Sequence, residues 1–326
     1  MQRRNFILGA ASGAVIATTG CHRDEPALSS VISAPAGRIQ GDIKDGIHRF
    51  LGIPYATPPF GEQRWMPPVR RKPWAAVLQA TNYGQICPQT GGASTGGLIE
   101  GEDCLNLNIW SADPGARGMP VMVWIHGGGQ ISGSGANAIY DGSNFARDGV
   151  VLVTCNRRLG AEGFLYLEEL FGDGVGTGNL GMQDMVCVLQ WLADNIKSFG
   201  GDPDNITLFG ESGGAAAIQA MIATPGASSL VNRAILQSGG HSAQRPSTAK
   251  EVARYVTNQL GIKRGDLDAL KRVPWRQFVD LYPGLSERPD WGRPQIYQPV
   301  LNEHMPIHPV DATFSGIGLD VDYLIG

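Results

Sequence analysis

One serine stands where a hydroxyl could attack a carbonyl carbon. In Asn205-Ile-Thr-Leu-Phe-Gly-Glu-Ser-Gly-Gly214 an apolar strand runs into Gly-x-Ser-x-Gly and then into a small-residue helix start. That order lifts Ser212 clear of a sheet on a sharp corner, which needs neighbours without bulk, and Gly210, Gly213 and Gly214 supply them. The helix after the serine aims its first N–H groups, and the positive end of its dipole, at the place where a tetrahedral oxyanion would form. Upstream, Met119-Pro-Val-Met-Val-Trp-Ile-His-Gly-Gly-Gly129 is a second apolar strand that ends in a triple glycine. Glycine lets such a loop approach a carbonyl closely and donate backbone N–H groups to its oxygen. Together the two stretches fit acyl transfer. Each alone has a plainer reading, a flexible turn and a serine N-cap, and 45 glycines in 326 residues make such patterns by chance. Their pairing, each behind an apolar strand, is what points to chemistry.

A seryl hydroxyl also needs a base to take its proton and an acid to orient that base. The histidines after Ser212 are His241, His304 and His308. His241 follows an apolar strand and is expected near the pocket. His304 and His308 lie in Asn302-Glu-His-Met-Pro-Ile-His308, a proline-broken segment expected at the surface. Solvated or packing roles suit all three better than a replacement triad. His126, at the head of the glycine loop, is expected to orient that loop rather than to move protons.

The elements that must hold these groups are readable from periodicity. Residues 105–110, 121–125 and 150–154 read as strands, the last two as continuous apolar runs of the kind buried on both faces. Between residues 179 and 199, Met182, Met185, Val186, Leu189, Leu192 and Ile196 recur at three and four residues, a helix with one buried face. Gly200-Gly-Asp-Pro203 stops it and leads into the serine strand. A strand at residues 234–237 and amphipathic helices at 248–260 and 274–281 follow. Alternating strands and helices argue a predominantly parallel central sheet flanked by helices, an α/β class. Residues 31–50 read as a small amino-terminal hairpin. Residues 51–68 are so rich in proline that an ordered surface loop is expected there.

With 42% hydrophobic and 17% charged residues the chain can bury a large core. A net charge of −4 without a basic stripe argues against nucleic acid and for a neutral small-molecule substrate. No Cys/His spacing points to a metal, and no cofactor is called for. Residues 1–21 read as an export signal: Arg3-Arg-Asn-Phe-Ile-Leu8 precedes an apolar run too short to span a bilayer. The paired arginines are twin-arginine-like, which places the protein in the periplasm or cell envelope of a bacterium. Thr19-Gly-Cys21 resembles a lipoprotein site, with Cys21 as the acylated anchor. Export permits a bridge between Cys87 and Cys104, which flank a Gly/Ser/Thr-rich loop, whereas Cys155 and Cys187 read as buried free thiols.

Seven motifs in order now carry a resemblance: Gly52-Ile-Pro-Tyr-Ala56, Glu102-Asp-Cys-Leu-Asn-Leu-Asn-Ile-Trp110, His126-Gly-Gly-Gly129, Gly178-Asn-Leu-Gly181, Phe199-Gly-Gly-Asp-Pro203, Gly210-Glu-Ser-Gly-Gly214 and Gln237-Ser-Gly239. The stretch 28–326 resembles the amino-terminal part of a type-B carboxylesterase, the cholinesterase-like group. The resemblance implies an α/β-hydrolase fold and cleavage of carboxylic esters through an acyl-serine. It makes Ser212 the nucleophile, the N–H groups of Gly127, Gly128 and Gly213 the oxyanion hole, and Glu211 a buried supporting acid. It also implies a disulfide between Cys87 and Cys104. Arg157 stands where a tyrosine is usual, and Gly213 where alanine is usual, a change without consequence for an N–H donor. The family's acid and histidine would follow a strand resembling Val321-Asp-Tyr-Leu-Ile-Gly326, so both are expected beyond residue 326. A non-catalytic binding module and a degenerate truncated product are the alternative readings, and the oligomeric state is open.

Overall fold

A computed structural model describes residues 27–91, 96–239, 243–287 and 296–326. The expected leader, the anchor Cys21 and His241 lie outside these residues. Among the described residues the strands are Ala27–Leu28 (β1), Ile32–Ala34 (β2), Gly37–Gln40 (β3), Asp42–Lys44 (β4), Ile47–Pro54 (β5) and Trp74–Gln79 (β6). They continue with Asn106–Ser111 (β7), Met119–Ile125 (β8), Val151–Cys155 (β9), Gly201–Glu211 (β10), Arg233–Gln237 (β11) and Asp322–Ile325 (β12). Nine of them form one sheet in the order β1-β4-β5-β7-β9-β8-β10-β11-β12, and β2-β3-β6 form a small second sheet. From β1 to β9 the neighbours run antiparallel. From β9 through β8, β10 and β11 to β12 they run parallel. The serine corner belongs to the parallel half.

The α-helices are Ser143–Arg147 (α1), Gly160–Phe164 (α2), Glu168–Phe171 (α3), Leu180–Asn195 (α4), Gly213–Ile222 (α5), Pro246–Gln259 (α6), Leu267–Arg272 (α7), Trp275–Ser286 (α8) and Pro309–Phe314 (α9). Where α4 was expected to bury one face, it buries most of its circumference, including Leu180, Met185, Val188, Leu189, Trp191 and Leu192. It is wedged between β10, α2 and α5. A 3₁₀ turn, Ile196–Phe199, extends it, and Gly200 at φ 88° ends it in the left-handed conformation a C-terminal glycine allows.

Several expectations are corrected. The proline-rich stretch is an ordered loop only from Tyr55 onward. Its first residues belong to β5, whose ladder with β7 runs to the Pro54–Asn106 pair after a register shift between Phe50 and Ile53. Beyond it Tyr55, Ala56, Phe60 and Trp65 are buried. Proline stands at the strand end, where the missing N–H costs the ladder least. The run expected to be buried on both faces divides: β9 is buried throughout, whereas β8 buries Val121, Val123 and Ile125 and leaves Met122 and Trp124 half-buried on the other face. The implied disulfide is absent, because Cys87 and Cys104 are both free, buried thiols. Cys87 Sγ donates to the Cys104 carbonyl at 4.0 Å, and burial pushes its thiol well up, away from the reactive thiolate.

Two buried ion pairs stitch the loops to the core. Arg158 meets Asp184 of α4 at 2.7 Å, with both side chains essentially inaccessible. Arg64 pairs with Glu162 of α2 and lies over the Trp65 ring, 4.1 Å from its centroid. No helix among the described residues is long and apolar enough to cross a membrane.

Candidate active site

The corner follows from close packing between the ends of β8 and β10. A Cβ at Gly214 would stand 2.0 Å from the Ile125 carbonyl oxygen, and one at Gly210 would stand 2.8 Å from the same atom. Only glycine fits at either place. Between them the chain turns through Ser212 at φ 52° and ψ −120°. A non-glycine residue there stores about 1–3 kcal/mol of strain, which persists only when the surroundings impose it. They do: Ser212 N donates to Gln237 O at 2.9 Å, and Ala216 N donates to Ser212 O at 3.0 Å. Ser212 is half-buried, and among the described residues its hydroxyl has no hydrogen-bond partner. The start of α5 faces it.

The triple glycine leaves β8 through left-handed turns, with φ 101° at Gly128, 60° at Gly129 and 66° at Gln130. Ile131 N and Ser132 N donate to Gly128 O at 3.0 and 3.1 Å, which closes the turn. The amides of Gly127, Gly128, Gly129 and Gly213 donate to no described group, so an incoming oxygen finds free donors. A Cβ at Gly127 would lie 3.5 Å from Ser212 Cβ, and one at Gly213 only 2.7 Å from Gly129 N. The second contact brings in a donor that the sequence reading left out. Gly129 N is the loop amide set against Gly213, and its signal was the third glycine of the same run. Loop and helix start thus lie against each other beside the serine.

His126 is fully buried beneath this loop. Its Nε2 faces Arg157 Nη1 at 3.2 Å, and a guanidinium can only donate. The imidazole proton therefore sits on Nδ1, which donates to Gly127 O at 2.8 Å. Burial, then the Arg157 charge, lowers its pKa to about 3. Both nitrogens are occupied, and His126 is a neutral strut of the loop.

Glu211 departs from the expected buried acid. It ends β10 and is exposed, although its carboxylate lies close beside Gly127. The later histidines are engaged elsewhere. His308 Nδ1 accepts from Val310 N at 3.3 Å and caps α9, while His304 lies 3.8 Å from Glu303 at the surface. No group of residues among those described could hold a metal ion.

A sequence profile described as "Carboxylesterase family" matches residues 28–326. The para-nitrobenzyl esterase of Bacillus subtilis (strain 168) is 37% identical over 303 residues, 91% of this chain and 62% of that protein. The phenmedipham hydrolase of Pseudarthrobacter oxydans is 38% identical over 302 residues, 89% of this chain and 59% of its own length. Among solved structures, a PNB esterase superposes with a TM-score of 0.84 at 37% identity, over 91% of this chain and 62% of that one. The carboxylesterase EST55 of Geobacillus stearothermophilus does so with 0.84 at 38%, over 91% and 62%. The chain thus spans about three-fifths of the length of the relatives it matches.

Proposed function

Because the chain belongs to the carboxylesterase family and shares the α/β-hydrolase fold of its relatives, we propose that it supplies the nucleophile for hydrolysis of carboxylic esters through an acyl-serine intermediate. One observation supports this: Ser212 is held at φ 52° on the corner close beside the glycine loop, and the amides of Gly127, Gly128, Gly129 and Gly213 donate to no described group. Ser212 Oγ adds to the ester carbonyl carbon, its proton passes to a general base, and the carbonyl oxygen becomes an oxyanion. The amides of Gly127, Gly128, Gly129 and Gly213 hold that charge, each amide more strongly than it holds the neutral ester, which is what lowers the barrier. Collapse expels the alcohol, which takes the proton back. Water then repeats the sequence on the acyl-serine and releases the acid. None of the described residues touches the Ser212 hydroxyl as this base.

Hydrolysis of a short-chain aryl ester tests the proposal. Turnover is expected to fall by about a thousandfold or more in Ser212→Ala, and equal rates in the two proteins would refute it. On the export-type leader, we also place the mature protein outside the cytoplasm. Cell fractionation recovering the uncleaved chain in the cytoplasm would overturn that placement.

A further inference from the structure

Two side chains beneath the glycine loop go beyond what ester chemistry requires. Arg157 is 1% exposed, and among the described residues no carboxylate pairs with it. Its two terminal nitrogens are spent on the loop instead, while its buried Nε has no partner among the described residues. Nη1 and Nη2 donate to His126 O at 3.3 and 3.2 Å, and Nη1 also donates to His126 Nε2. Nη2 reaches Gln130 Oε1 at 3.0 Å. Gln130, itself buried, passes the link on, because its Nε2 donates to Gly213 O at 2.7 Å. Its own carbonyl accepts from Gly160 N at 2.8 Å. The chain of bonds therefore runs from the first peptide of the loop, through a cation, to the first residue of α5.

We propose that Arg157 is a positioning residue for the oxyanion hole, its carboxylate-free guanidinium clamping the His126–Gly127 peptide and, through Gln130, fixing the gap between the loop amides and Gly213. The inference rests on the esterase reading for its consequence and on the hydrogen bonds for its substance. A buried cation without a counter-charge is costly in the resting protein, and a fold seldom keeps one without use. Beside a site that becomes negative only in the transition state, its field is worth more there than in the ground state, the condition for raising kcat. The planar fork, which contacts carbonyl, imidazole and amide at once, is a geometry lysine cannot copy.

The test compares Arg157→Met, Arg157→Lys, Gln130→Met and the Arg157→Met/Gln130→Met double variant with the unaltered chain. Aryl ester kinetics, thermal melting and hydrogen–deuterium exchange are read on each. Arg157→Met is expected to lower kcat about tenfold or more with KM within about twofold, and with the melting temperature held, since an apolar side chain replaces an unpaired charge. Arg157→Lys falls between the two. The double variant loses no more than the worse single one, because both cut the same chain of bonds. Exchange speeds up in peptides covering residues 126–134 and 210–216 and nowhere else. That readout needs no turnover: a chain without Ser212-dependent activity that still shows the localised exchange would discard the esterase reading and keep the clamp. Unchanged kcat and exchange in Arg157→Met and in Gln130→Met, or losses of kcat that only track a falling melting temperature, would overturn it.

Discussion

At the scale of single residues, the site balances close approach against strain. Gly213 looks interchangeable with alanine when only its N–H is considered. In space, a Cβ at 213 would stand 2.7 Å from Gly129 N and 3.1 Å from Gly129 Cα, so a methyl group displaces the loop by several tenths of an ångström. Gly213→Ala is expected to cost about tenfold in kcat toward an aryl ester, and an unchanged kcat would show that the loop yields freely. His126 gives the pH dependence. Its folded pKa of about 3 lies below the usual imidazole value of about 6.5, so the unfolded chain takes up a proton that the folded protein refuses. Stability is complete above about pH 6.5 and falls below it by up to about 1.4 kcal/mol per unit. Urea unfolding at about pH 7.5 and pH 5.5 should show a loss that His126→Gln reduces by roughly 1 kcal/mol. Parallel losses in the two proteins would mean that the imidazole is not held neutral.

At the scale of elements, chemistry and packing were legible to different degrees. The strand before Ser212, the glycine loop and α4 were readable because each is a long apolar period closed by glycine. What escaped was cross-chain context. Leu51 to Pro54 read as loop from its prolines, yet the ladder to Asn106 holds it as strand. Arg158 and Asp184 lie far apart in sequence, and neither signals a partner by type. Their pair anchors the segment after β9 to α4, with Arg158 N also donating to Asp184 Oδ2 at 2.8 Å. Asp184→Asn leaves a buried guanidinium without its counter-charge and should destabilise by about 3–5 kcal/mol in urea unfolding. Arg158→Met with Asp184→Leu should recover part of that. An unaltered midpoint in Asp184→Asn would remove the pair from the account.

At the scale of the whole molecule, the parallel half of the sheet serves the serine and the antiparallel half closes the core beneath it. β12 carries the outer edge, with Asp322 to Ile325 exposed along its length and Phe314 and Leu319 exposed nearby. On another part of the surface, Trp124, Tyr140, Phe145 and Phe209 line a hollow of about 170 Å³. Leu324 and Ile325 are bare because β12 is an edge strand of the sheet. The glycine loop and the serine corner were legible together because each motif states its own backbone geometry. Their mutual distance was not, and that is why Gly129 and the Arg157 clamp emerged only in space. The central claim is a reactive hydroxyl at Ser212 facing an anion site. Peptide mass mapping after exposure to a fluorophosphonate, which displaces fluoride onto an activated serine, tests it most directly. The account expects one adduct, on the peptide that carries Ser212, and none in Ser212→Ala; an unlabelled Ser212, or an adduct on a different residue, would contradict it.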